Sequence, residues 1–267
     1  MAEAHANSRP IGIVVAMEAE LRHLLEAVPN QRVTQDGIWV DHHLTISGVS
    51  VVAVCSGMGM VSAAAAAERL INAHAPRAVL NFGCSGAHRR DVLPGDVVIG
   101  AAMVHHGKYH VLPSGEEHYT GFGYDVGGEA MAPAALASDP TLLALAEDAA
   151  AGWSPEPWPP ALWPPGLPER APVVHTGVVA SADIWTQAHA LLDRLHERHG
   201  SLCEEMEAAA IGQICAMHGV PFLPIKDISN NEFHAATDIA GGFGDFPTAE
   251  VGKRAAALVP RVLARLD

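Results

Sequence analysis

Short apolar runs alternate with amphipathic stretches along most of this chain. Residues 11–17 (IGIVVAM) form a β-rich apolar run, and EAELRHLLEAV after it carries apolar positions at helical spacing. Residues 33–46 predict a pair of strands, with Asp36-Gly37 as the turn signal between or beside them. A buried strand over 50–55 runs through Ser56-Gly57-Met58-Gly59-Met60 into an alanine-rich helix over 61–74. Further strands are predicted at 77–82, from DVVI at 96–99 on towards 104, and at 173–180. A last strand at 220–228 is interrupted by Pro221 and Pro224. Helices are predicted at 141–151, 187–199, 204–218 and 248–266, the last kinked by Pro260. Strands alternating with helices favour a layered α/β fold with a largely parallel or mixed central sheet, and ligands of such sheets bind at the carboxyl ends of strands.

Residues 152–172 break the pattern, being dense in proline and tryptophan. Proline fixes φ and lacks the amide donor, which excludes helix interior and central strand there. The segment reads as a surface excursion between core elements. Its tryptophans, wasteful if singly exposed, also allow a lid or a subunit contact.

Composition narrows the function classes. At 267 residues the chain fits one domain spanning 1–267, and 49% hydrophobic against 17% charged residues supports a sizeable core. A formal net charge of −14 without any basic stripe argues against nucleic acid and anionic membrane surfaces as partners. No stretch approaches 18 uninterrupted apolar residues, so no membrane span is expected. The opening MAEAHANSRP lacks a basic segment leading into an apolar run, so no signal peptide is expected. Cys55, Cys84, Cys203 and Cys215 form no CxxC pair and read as reduced thiols of a cytoplasmic protein.

Four constellations carry candidate chemistry. Met17-Glu18-Ala19-Glu20 follows the first strand, where a carboxylate can activate water, although acidic residues in a first helical turn are more often dipole partners. Asn81-Phe82-Gly83-Cys84-Ser85-Gly86 is a small-residue loop at a strand end, open to close backbone approach by a ligand. Glu204-Glu205-Met206-Glu207 enters an apolar small-residue helix. Glu204 and Glu205 fit an exposed helix start, whereas Glu207 begins the buried run and suits a sugar diol. Lys226-Asp227-Ile228-Ser229-Asn230-Asn231 ends a buried strand, and period-2 alternation puts Asp227 and Ser229 on one face.

These motifs, in this order and over most of the chain, resemble the 5′-methylthioadenosine/S-adenosylhomocysteine nucleosidases of the nucleoside phosphorylase superfamily. The matching stretches include IGIVVAMEAEL, SGMGMVSAAAAAERL, NFGCSGAHRRDVLPGDVVI, VVASADIW and EEMEAAAIGQICAMHGVPFLPIKDIS. The resemblance implies a three-layer α/β sandwich with a mixed central sheet, a purine nucleoside as the small-molecule partner, no cofactor, no metal and a homodimer. It implies that Glu20 activates the attacking water, Met206 packs beneath the ribose and Glu207 binds its 2′- and 3′-hydroxyls. Trp185 falls at the base-stacking position and Cys84 at a pocket-lining one. Met17, Ser85, Gly86, Glu205 and Ser229 complete the candidate substrate-binding set.

One departure matters. The family's Ser-Asp pair, whose aspartate protonates the departing adenine, stands here as Ser229-Asn230, and an amide donates a hydrogen bond without transferring a proton. Either the base is a 6-oxopurine, as in futalosine hydrolases, or Asp227 or Asp183 supplies the acid and adenine remains. A phosphate-dependent phosphorylase is the nearest rival. It lacks its glycine-arginine loop here, and Arg89 and Arg90 lie too far along to cradle the anion. A non-catalytic nucleoside-binding protein is the rival of another class. His105, His106 and His110 read as surface residues in a loop, with no further ligands to complete a metal site.

Overall fold

The apolar runs form strands whose buried side chains alternate between two helical layers. A computed structural model of the chain describes residues 9–28, 31–238 and 247–266. In chain order its elements are β1 (Ile11–Val15), α1 (Glu18–Ala27), β2 (Arg32–Asp36), β3 (Trp39–Ile46), β4 (Val49–Cys55), α2 (Met60–His74), β5 (Ala78–Ala87) and β6 (Val97–His105). Four three-residue strands follow: β7 (Tyr109–Val111), β8 (Glu117–Tyr119), β9 (Tyr124–Val126) and β10 (Glu129–Met131). The rest is β11 (Leu136–Ala137), α3 (Pro140–Ala150), β12 (Val174–Ser181), α4 (His189–His199), β13 (Ser201–Glu205), α5 (Ala208–His218), β14 (Phe222–Asn230) and α6 (Lys253–Leu263).

Among the described residues the main sheet has ten strands in the order β11-β6-β12-β13-β5-β1-β4-β3-β2, with β14 inserted between β5 and β6. Hydrogen bonding therefore runs in a ring through β5, β14, β6, β12 and β13, with β1, β4, β3 and β2 continuing from β5 and β11 flanking β6. Parallel and antiparallel pairs mix, which makes this the expected mixed sheet. Ile11, Ile13 and Val15 of β1 face Leu21, Leu24, Leu142, Ala146, Leu258 and Val262 of α1, α3 and α6. Val14, between them in sequence, faces the opposite layer of Ala63, Ala67, Leu70, Ala209 and Ile211 on α2 and α5. The period of two distributes one strand between two cores, giving three layers.

Several boundaries differ from the sequence reading. Gly83 to Gly86 are not a loop but the last part of β5, because β14 runs alongside and supplies partners for their backbone groups. Glu204 and Glu205 are not a helix start: they end β13, a strand buried along its whole length and paired on both sides. The helix begins only at Ala208. Pro224 sits inside β14, and Pro260 sits inside α6 without ending it. His106 is buried at 4% exposure, not a surface residue. Among the described residues no group of three or more His, Cys, Asp or Glu is placed to hold a metal.

The 152–172 segment is stapled down. Trp158 is buried with the Arg254 guanidinium 4.8 Å from its ring centre, and Arg254 also donates to the backbone carbonyls of Glu156 and Pro157. Arg170 pairs with the buried Asp96 carboxylate. No residue of this segment is among the described lining residues of the cavity described below. Among the described residues no helix is long and apolar enough to cross a membrane. The reading of the first ten residues as lacking a signal peptide falls mostly on residues 1–8, outside the described residues.

Candidate active site

The carboxyl ends of β1, β5, β12, β13 and β14 meet around a cavity of about 280 Å³. Glu20 enters it from the first turn of α1. Its carboxylate accepts from the Cys84 N–H at 2.7 Å and reaches back to the Met17 N–H at 3.1 Å. The approach to β5 depends on Gly83, where a Cβ would stand 2.8 Å from the Glu20 Oε1 atom. Burial lifts the Glu20 carboxyl above its ordinary range, against the opposing pull of Lys226 and the Cys84 amide. In its ionised form a carboxylate raised in this way is a stronger base for a water proton.

Glu207 stands across the cavity, just before α5. Its Oε1 accepts from the Gly59 N–H at 2.9 Å, and Gly59 holds φ at 96°, a left-handed value that favours glycine. Burial, then the like charge of Glu205, raises the Glu207 carboxyl to about 7, with Lys226 opposing. Lys226 is buried beneath both. Burial alone would lower its pKa, but Glu205 and then Glu207 outweigh that, and it pairs with Glu205 Oε2 at 2.7 Å.

Glu205 borders the cavity, yet its oxygens are engaged within the protein. They accept from the Ser181 hydroxyl and from the Glu207 and Ala208 N–H groups, so Glu205 caps α5 and its predicted contact with substrate is taken up by the fold. Met206 also lines the cavity, as do Met17, Cys84, Ser85 and Gly86.

At the other end stand Trp185, Ser229 and Asn230. A register shift in β14 between Ile228 and Asn230 breaks the alternation, which is how Ser229 and Asn230 both reach the cavity. Asn230 Nδ2 donates to Glu232 Oε1 at 2.8 Å, and the Ser229 hydroxyl donates to Asn230 Oδ1 at 2.9 Å. Glu232 also accepts from Trp185 Nε1 at 3.2 Å, from Gln187 Nε2 and from the Thr237 hydroxyl and N–H. Sequence reading missed Glu232, since alternation says nothing beyond the strand end.

Asp227 is a correction. Its carboxylate faces away from the cavity and accepts from the Gly252 and Arg254 N–H groups at 2.9 and 3.0 Å, capping α6. Burial raises its carboxyl to about 7 in spite of these donors. Asp183, the other substitute acid, is exposed and accepts from the Met60 N–H at 2.8 Å at the start of α2. Neither lines the cavity. Arg89 and Arg90 pair with Asp91 and Asp193 instead, and no arginine or lysine is among the described lining residues.

A sequence model of the phosphorylase superfamily matches residues 10–264. The 5′-methylthioadenosine/S-adenosylhomocysteine nucleosidase of Chromohalobacter salexigens is 34% identical over 238 residues, covering 89% of this chain and 87% of that protein. The chain belongs to this nucleosidase family of the phosphorylase superfamily. Its fold is similar to that of the Neisseria meningitidis nucleosidase solved with methylthio-immucillin-A: TM-score 0.74 and 26% identity, over 97% of this chain and 100% of that one. Helicobacter pylori futalosine hydrolase shares the fold at TM-score 0.75 and 22% identity, over 97% of this chain and 99% of that one. The nucleosidase fold thus brings together Glu20, Trp185, Met206, Glu207 and Asn230 from four separate stretches of sequence, and leaves Asp227 outside.

Proposed function

We propose that the chain hydrolyses the N-glycosidic bond of a purine nucleoside, with Glu20 and Glu207 both lining a cavity that has no lysine or arginine among its described lining residues as the carrying observation. Glu20 accepts a proton from water as its oxygen bonds to C1′ of the sugar. The C1′–N9 bond breaks with its electron pair passing to the base, through a transition state resembling an oxocarbenium ion. Glu207 accepts from the sugar hydroxyls and faces the developing positive charge. Asn230, with Ser229 behind it, donates a hydrogen bond to the departing base. No arginine or lysine among the described lining residues would hold phosphate, which favours water as the nucleophile over phosphorolysis.

The nucleosides named for the relatives, 5′-methylthioadenosine and S-adenosylhomocysteine, are the first substrates to test. A 6-oxopurine nucleoside is the second reading. It is favoured by Asn230 in the cavity and by the engagement of Asp227 and Asp183 elsewhere. A cytoplasmic homodimer belongs to the same proposal, carried over from the family resemblance and from four cysteines without a disulfide partner.

Base release from purified protein, followed by chromatography with and without phosphate, tests the reading. Release independent of phosphate, with Glu20→Gln slower by about 10²–10⁴-fold, is the expected result. Full activity in Glu20→Gln, or an absolute need for phosphate, would sink it.

A further inference from the structure

We propose that Glu204 is a base-reading residue, and that with Asn230 it makes the cavity select 6-oxopurine nucleosides over adenine nucleosides. The inference rests on the nucleosidase reading above. Glu204 ends β13 and lines the base end of the cavity at 7% exposure. Thr186, next to the Trp185 that borders the same end, gives it both of its donors: the N–H to Oε1 at 2.7 Å and the hydroxyl to Oε2 at 2.9 Å. His88 Nε2 lies 3.2 Å from Oε2 and His106 Nε2 3.5 Å from it, both rings buried. His106 Nε2 has no hydrogen-bond partner.

The consequence is a wall of defined polarity. A carboxylate has about four lone-pair sites and accepts only. Oε2 is crowded by the Thr186 hydroxyl and His88, whereas Oε1 takes one donor and keeps a site free. Thr186 has no donor left to show the ligand. Asn230 is oriented as firmly: Glu232 is also an acceptor, so the amide nitrogen must face it, and one N–H of Asn230 remains. The base end therefore presents one N–H from Asn230 and one acceptor from Glu204.

A 6-oxopurine matches this set. Its N7 and O6 accept from the Asn230 N–H, and its N1–H donates to Glu204. Adenine offers an N6 amino group that Glu204 accepts, but its N1 is a bare acceptor. That atom would face a carboxylate, with the nearby Thr186 N–H already spent. Sites built to hydrogen-bond a substrate N–H reject analogues lacking it strongly, because the buried polar groups are left unpaired.

The test pairs 5′-methylthioinosine with 5′-methylthioadenosine, which differ only in the base, on wild type, Glu204→Gln and Glu20→Gln. The expected wild-type kcat/KM favours the inosine compound by about 100-fold or more. Glutamine at 204 offers an N–H to adenine N1, so the preference shrinks by at least about tenfold, chiefly through a gain for the adenine compound. Hypoxanthine should also inhibit the wild type at lower concentration than adenine, a measurement that needs no variant. Equal or adenine-biased kcat/KM with a ratio unmoved by Glu204→Gln overturns the assignment, and stronger inhibition by adenine does the same. In those cases base release abolished by Glu20→Gln leaves the hydrolase reading standing. No base from either compound overturns that reading and this one together.

Discussion

Glu20, Glu207 and Asp227 are three buried carboxyls pushed upward mainly by loss of solvent, yet only two face the cavity. Gripping a sugar diol requires Glu207 ionised, and accepting a water proton requires the same of Glu20. With Glu207 raised to about 7 and Glu20 displaced in the same direction, kcat/KM should fall as pH drops below about 7, by roughly tenfold or more per unit. A pH profile of kcat/KM checks this, since it reports groups of the free enzyme. A flat profile down to pH 5 would mean neither group titrates where the geometry puts it. At this scale the sequence was informative about identity and weak about direction. It marked Glu20, Glu207 and Asn230 as chemistry-bearing, but the strand's alternation sent Asp227 with Ser229 to a common face. The bulge before Asn230 undid that inference, and Asp227 became a helix cap.

Elements act here through their ends. The N-termini of α5 and α6 each put backbone N–H groups on a carboxylate, Glu205 for the first and Asp227 for the second. Asp227→Asn keeps one acceptor for two donors and should cost about 1–2 kcal/mol at pH 5, read as a lower urea midpoint. The sign of its pH dependence follows from linkage. A carboxyl raised from 3.8 to about 7 binds a proton in the folded state that the unfolded chain releases, so its stabilisation is present below pH 4 and lost as pH rises to 7. Asparagine has no such loss, so the gap between wild type and variant should narrow from pH 5 to pH 8. A widening gap would mean that the two N–H donors outweigh burial and hold Asp227 below its ordinary range. Continued turnover in this variant would agree with a carboxylate that caps a helix and does not touch the base.

Across the whole molecule, Arg254 ties the proline- and tryptophan-rich segment to α6. It is buried, bonded to the Glu156 and Pro157 carbonyls and to Glu250, and stacked on Trp158. Arg254→Ala should destabilise by about 3 kcal/mol or more, because it leaves the two carbonyls without their donor and Glu250 with only the more distant Lys253 as a charge partner. At roughly 2–4 °C per kcal/mol for a chain of this class, thermal unfolding should show it clearly. Limited proteolysis should then cut within 152–172 faster than in wild type. An unchanged melting temperature would make the strap a passive excursion, as the sequence alone allowed.

Most helices and the longer strands were legible in the sequence through local period, and the family, with the three-layer class it implies, through motifs that survive as strings; the short strands β7 to β11 and β13 were not. A strand buried on both faces reads as a near-continuous apolar run whatever its neighbours, as IGIVV does in β1. Neighbours decided the rest. Strand pairing on both sides made Glu204 and Glu205 part of β13, and the parallel partner β14 kept Gly83 to Gly86 in β5. The donors surrounding each carboxylate then separated those free to meet a ligand from those the fold uses itself. Residues far apart in the chain, such as Thr186 and Glu204 or Gly252 and Asp227, set these outcomes, and no local pattern encodes which of them will meet.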